Sequence, residues 1–221
     1  MIIVFDLDDT LYSELDYVDG GLMAVAKHFG GDIKKNYKEL KKLREEARKH
    51  IIDRFLQAHD CWSKKRLQEL INVYRRHKPH LTLYPAAKRC LQALKKRPLY
   101  LVTDGHRFVQ RNKVDALGIR SSFKKTFFTS DYGQHRAKPS PYCFTKIASL
   151  EKVAPKEILY VADNPTKDFV GIKPLGFQTL RVHTGQHKDI KVQKAYDADF
   201  HIHTLDEFLP WLKTFESKHL K

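Results

Sequence analysis

Residues 2–10 run from four consecutive apolar side chains, Ile2, Ile3, Val4 and Phe5, into Asp6, Leu7, Asp8, Asp9 and Thr10. An apolar run this short, β-branched and bounded by polar residues is the pattern of a strand buried on both faces of a parallel sheet. Its carboxyl end opens toward the edge where open α/β sheets bind ligands. Asp6 and Asp8 stand two apart and share a face if the strand continues through them. Burying unpaired carboxylates inside a sheet costs too much, so the acidic string belongs at the strand's mouth. The plainer alternative is a solvated loop that is merely acidic.

The chain downstream divides by periodicity. Between residues 12 and 84 the pattern is helical: Leu22, Val25, Ala26 and Phe29 recur at three and four, then Gly30 and Gly31 end that helix. A longer helix is expected through Leu40, Leu43, Ala47, Ile51 and Phe55, and a third through Leu67, Leu70, Ile71 and Tyr74. Each has one apolar stripe, so the three can pack as a small bundle. After Tyr84 strands and helices alternate. Strands are predicted at 99–102, 126–129, 158–162, 178–182 and 200–202. Helices are predicted after Pro85, around Val109 to Leu117, after Ser140 and Pro141, near 167–173, and from a capping box of Thr204 with Glu207. The expectation is an α/β fold, a doubly wound, Rossmann-like parallel sheet with an inserted helical domain. Residues 1–11 and 85–221 form the core and residues 12–84 the insertion.

At 221 residues such a chain buries roughly 70% of its unfolded surface and needs no disulfide or structural metal. Cys61, Cys90 and Cys143 are scattered, which fits reduced, buried thiols. The first strand starts at residue 2, leaving no room for a signal peptide, and no apolar run nears a membrane span. A cytoplasmic location is the expectation. Lys and Arg number 41 against 26 Asp and Glu, a net charge of +15. That charge attracts anions, but the basic residues form no compact arm, which favours an anionic small molecule over nucleic acid as the main partner. The stretch 12–84 carries 16 of the basic and 10 of the acidic residues, net +6.

The polar residues that stand out all follow predicted strands: Asp6 and Asp8, Thr103, Lys138, then Asp163, Asn164 and Asp168. Parallel strands place those ends along one edge, so groups 150 residues apart converge. Taken in order, Asp6-x-Asp8-x-Thr10, Thr103, Lys138 and Asp163-x4-Asp168 resemble the four signatures of the haloacid dehalogenase superfamily in its phosphatase form.

The resemblance implies a set of roles. Asp6 is the nucleophile that forms an aspartyl-phosphate, and it also binds Mg²⁺. Asp8 protonates the leaving oxygen and then activates water, while its backbone carbonyl joins the metal shell. Thr103 and the backbone after it (Asp104, Gly105, His106) hold phosphoryl oxygens or substrate. Lys138 balances charge. Asp163 ligates the metal, with Asn164 and Asp168 in support, and the insertion becomes a cap over the site. Mg²⁺ suits this set because it takes one or two carboxylates and keeps waters and a substrate oxygen. An anionic nucleophile facing a phosphate dianion needs such counter-charge: two unit charges 4 Å apart interact by about 4 kcal/mol at an effective dielectric near 20.

Other readings stay open at several positions. Thr103 could simply cap its turn, Asp168 could be an acid favoured at a helix start, and His106 could touch substrate or face solvent. His201 and His203 alternate along one strand without further ligand spacing, which reads as structural. Two positions depart from the family pattern. Ala162 stands where Gly is usual, and Asp104 where many phosphatases carry Asn. The acid at Asp8 argues for a phosphatase or phosphomutase and against a dehalogenase. A sugar phosphomutase, or a non-catalytic basic binding protein on the same fold, are the alternatives.

Overall fold

The computed structural model describes residues 1–47 and 49–219. In them, strands β1 (Ile2–Phe5), β2 (Leu99–Thr103), β3 (Lys125–Phe128), β4 (Ile158–Ala162), β5 (Gln178–Val182) and β6 (Phe200–Ile202) form one sheet ordered β3-β2-β1-β4-β5-β6. Every pairing is parallel. The chain builds outward from β1 in one direction, then returns to β4 and builds in the other. The boundary between β1 and β4 is therefore the switch point of a doubly wound sheet.

Burial on both faces explains the unbroken apolar run of β1. Val4 joins a cluster with Tyr100, Phe127, Phe144 and Tyr160 on one face. Phe5, pointing the other way, meets Phe208 edge-on with ring centroids 5.6 Å apart. Phe208 opens the last helix, α8 (Phe208–His219), and the turn before it carries the expected capping box: Thr204 accepts from the Asp206 amide, and Glu207 accepts from the Thr204 amide.

The chain separates into two compact units, Met1–Glu14 with Thr82–Lys221, and Leu15–Leu81. Four helices make up the second: α1 (Glu14–Phe29, starting one residue earlier), α2 (Ile33–Glu46), α3 (Ile51–Ala58) and α4 (Lys64–Arg76). Asp32 and Ser63 cap α2 and α4 by accepting from the amides of Lys35 and Arg66. The single helix expected from Leu40 to Phe55 is two helices. Ala47 is extended (φ −155°) and His50 is left-handed (φ 58°). The packing supplies the reason. On one straight helix Leu40 and Phe55 would lie about 22 Å apart, at ~1.5 Å per residue. Folded back, both enter one core with Leu22, Val25, Ala26 and Leu70.

In the sheet unit, helices α5 (Pro85–Ala93), α6 (Arg107–Ala116) and α7 (Tyr142–Glu151) connect the strands as the periodicity predicts. No regular helix forms near 167–173; turns lead to a short 3-10 segment, Lys173–Leu175. Among the described residues no helix is long and apolar enough to cross a membrane, and the three cysteines are free thiols.

Candidate active site

Strand register brings the first and fourth signatures, the two acidic ones, together. Phe5 pairs with Val161, and the Asp6 amide donates to the Val161 carbonyl at 2.9 Å, so Asp6 leaves β1 beside the end of β4, where Asp163 follows Ala162. Asp6, Asp163 and Asp168 are buried, with one carboxylate oxygen from each lying within 4.8 Å of the others. Lys138 enters from the loop between β3 and α7, across a cis bond to Pro139. Its ammonium lies 2.7 Å from Asp6 Oδ1, 2.7 Å from Asp168 Oδ1 and 2.9 Å from the Tyr160 hydroxyl. Tyr160 in turn donates to Asp168 at 3.2 Å.

Charge at this edge does not balance. Among the described residues, Lys138 is the one ammonium paired directly with any of the three buried carboxylates, with Lys167 acting on Asp6 from farther off. Burial pushes the Asp6 carboxyl up to about 8; Lys138 opposes the shift, while Asp168 and Asp163 add to it. Burial likewise lifts Asp163 to about 6, against a hydrogen bond from His187. For Lys138, burial works against its charge, but Asp168 and Asp6 win and hold the ammonium well above the ordinary lysine range. A buried, oxygen-only donor set that lacks positive charge is what a hard divalent cation requires. The residues present fit such an ion.

Gly171 explains how the Lys138 loop is held. A Cβ on Gly171 would sit 1.6 Å from the Pro139 carbonyl oxygen, so the backbone after Asp168 packs directly on the lysine loop. Close approach replaces the helix expected there. Gly171→Ala is expected to cost about 1–3 kcal/mol through overpacking and to displace Lys138. Thermal melts and kcat measured together check this; an unchanged melting temperature with full activity contradicts it.

Asp8 lines the same pocket as Asp6 and Asp163, but a different set of partners holds its carboxylate. Its Oδ1 accepts from the Tyr12 hydroxyl (2.6 Å) and the Lys113 ammonium (2.7 Å), and its Oδ2 from Gln110 (2.8 Å). Burial raises its carboxyl, but Lys113 and these hydrogen bonds outweigh it, and the net shift is downward. Gln110 also donates to Thr103 Oγ1 at 2.6 Å, which leaves the Thr103 hydroxyl hydrogen to point elsewhere. Thr103 is buried at the end of β2.

Asp104 is not a loose negative charge beside the pocket. Its Oδ1 accepts from Thr129 (2.6 Å) and from the Lys138 amide (3.2 Å), tying the turn after β2 to the lysine loop. Gly105 has φ 131°, and a Cβ there would crowd Gln110 at 3.2 Å. His106 is exposed at the start of α6. The Asn164 side chain closes a local turn, its Oδ1 accepting from the Thr166 amide and hydroxyl, while the Asn164 backbone amide donates to Asp168 Oδ2 at 3.0 Å. His201 pairs with His183 at 3.0 Å, and the His203 ring lies 5.7 Å from that of His183.

Four residues at the site do not stand out in the sequence as site residues. Gln110 and Lys113 lie on a helix rich in basic and polar side chains, and Tyr160 sits inside an otherwise aliphatic strand. His187, 2.9 Å from Asp163, arrives from the loop after β5. Only a Tyr among aliphatic residues, two positions before the strand's last residue, offered a hint.

Comparison with known proteins shows the family. The sequence profile of the haloacid dehalogenase-like hydrolases matches residues 1–176, and the chain belongs to that family of hydrolases. Over 97% of both chains it is 27% identical to glyceraldehyde 3-phosphate phosphatase of Methanocaldococcus jannaschii. It is 31% identical to phosphoserine phosphatase of Thermus thermophilus, over 55% of this chain and 49% of that one. Among solved structures, a HAD-hydrolase of Bacillus subtilis bound to magnesium superposes with a TM-score of 0.74, at 22% identity over 96% of this chain and 97% of the other. At that identity the likeness concerns the fold.

Proposed function

We propose that this chain is a divalent-cation-dependent phosphatase that hydrolyses a small phosphate monoester through an aspartyl-phosphate on Asp6. The observation that carries the reading is the Asp6 carboxylate, buried at the switch point between Lys138 and two further carboxylates. The phosphatase names of the two relatives support the reaction, and the name of the relative matching the full length makes triose phosphates the first substrates to try.

Asp6, Asp163 and Asp168 would hold the cation, joined by the Asp8 backbone carbonyl that the family resemblance implies. Mg²⁺ there would supply the charge that lets an anionic nucleophile approach a phosphoryl group. In the chain's own chemistry, an Asp6 oxygen attacks phosphorus, the bond to the leaving oxygen breaks, and that oxygen takes a proton from the Asp8 carboxyl. Lys138 opposes the burial that disfavours the Asp6 carboxylate, and it faces the phosphoryl charge. The Thr103 hydroxyl, accepting from Gln110, can donate to a phosphoryl oxygen. The Asp8 carboxylate left by that proton transfer, stabilised by Lys113, then takes a proton from the water that cleaves the acyl-phosphate and frees Asp6. The helical unit would act as the cap that selects substrates.

A panel of sugar, triose, amino-acid and nucleotide phosphates, assayed with and without EDTA, tests the proposal. Activity is expected to fall to background on chelation and to return with Mg²⁺. Full turnover in excess chelator would remove the cation from the scheme. Release of inorganic phosphate rather than an isomeric sugar phosphate separates hydrolysis from phosphomutase chemistry.

A further inference from the structure

The loop after β5 lies outside the four signatures, yet it is built into the site. Asp9, left-handed at φ 55°, anchors it. Asp9 Oδ2 accepts from the Gln186 amide at 3.0 Å, its carbonyl accepts from the Thr184 hydroxyl, and its Oδ1 accepts from the Glu14 amide. Gly185 makes that approach possible, since a Cβ there would lie 2.1 Å from Asp9 Cγ. From beneath, the buried Arg181 donates to the carbonyls of His187 and Ile190, each at 2.8 Å, and pairs with Asp197. With its backbone fixed on two sides, the loop presents His187 Nδ1 to Asp163 Oδ2 at 2.9 Å. A carboxylate can only accept, so Nδ1 carries the hydrogen.

We infer that His187 is a positioning residue of the cation site: it orients the Asp163 carboxylate by donating to one oxygen, leaving the other for the ion, and thereby sets metal affinity. The inference rests on the reading of Asp6, Asp163 and Asp168 as the groups that hold the cation. Partners that orient a ligating carboxylate from behind commonly contribute 10–100-fold to metal affinity. The loop geometry gives the hydrogen bond its direction, because His187 reaches Asp163 only while Asp9 and Arg181 hold the backbone. His187 would act on the reaction through Asp163 alone.

Mn²⁺ binding to the intact chain, followed by loss of the free-ion EPR signal and by calorimetry, tests this without relying on turnover. Wild type is expected to bind Mn²⁺, and Asp163→Asn to bind it at least tenfold more weakly. If wild type takes up no Mn²⁺, or Asp163→Asn binds it as well as wild type, the cation reading itself fails and this inference falls with it. Given those two results, His187→Ala is expected to weaken Mn²⁺ binding by about 10–100-fold. His187→Asn, whose side-chain amide can donate from nearly the position of Nδ1, is expected to recover most of that loss. Binding within twofold of wild type in His187→Ala overturns the inference alone. Equal weakening in the Ala and Asn variants also overturns it, because the loop rather than the donated hydrogen would then be responsible.

Discussion

Asp6→Asn is expected to reduce turnover by at least ~10⁴-fold, the scale on which removal of a nucleophile is felt when the remaining groups act only with it. Asn keeps the shape of Asp and its place beside Lys138, but it has no anionic oxygen to attack phosphorus. The same substitution is expected to leave the metal-free fold as stable as wild type, or slightly more so. The reason is the charge balance: Asp6, Asp163 and Asp168 converge, Lys138 pairs directly with two of them and Lys167 acts only from farther off, so neutralising one carboxylate relieves repulsion. Lys138 keeps Asp168 as a partner at 2.7 Å. Steady-state assays on the best phosphate ester, with thermal melts in EDTA, read both halves. Turnover near the wild-type rate would mean that Asp6 is not the nucleophile. A collapse of the melting temperature would mean that Asp6 serves mainly as the lysine's counter-ion.

What could be read from the sequence depended on the range of the interaction. Burial of β1 on both faces was legible because it is written in four adjacent apolar residues, and the sheet follows from the repeated strand-helix spacing. The meeting of Asp6, Lys138 and Asp163 was also legible, since every parallel strand delivers its carboxyl end to one edge. The break between α2 and α3 was not. The apolar stripe continues in phase through 40–55, and what ends the helix is a gain from folding Leu40 and Phe55 into one core. Likewise the turns after Asp168 replace a helix because Gly171 must lie against Pro139, a contact between segments about thirty residues apart. Lys113 is one among many lysines in a basic chain, and only the fold singles it out by placing it, nearly inaccessible, against Asp8.

The substitution expected to damage the fold most is Lys138→Met. Wild-type Lys138 bridges Asp6 and Asp168 with both side chains nearly inaccessible, and Tyr160 completes its shell. Met fills similar volume but leaves two buried carboxylates with no directly paired ammonium. Breaking a buried ion pair by deleting one partner costs about 3–5 kcal/mol, mostly from the charge left behind. For a chain of this size each kcal/mol shifts the melting temperature by about 2–4 °C, so a fall of roughly 10 °C is expected in EDTA. Saturating Mg²⁺ should return part of it, because the ion would meet the same carboxylates. The double variant Lys138→Met/Asp168→Asn separates a charge effect from a packing effect. If unpaired charge is the cause, neutralising Asp168 as well restores more than half of the lost stability and yields a coupling energy of about 0.5–3 kcal/mol. Additive losses in the double variant would instead mean that Lys138 stabilises the site by filling space. Turnover is expected to stay down by about 10²–10³-fold in both, since neither Met nor Asn can stabilise charge developing on the phosphoryl group.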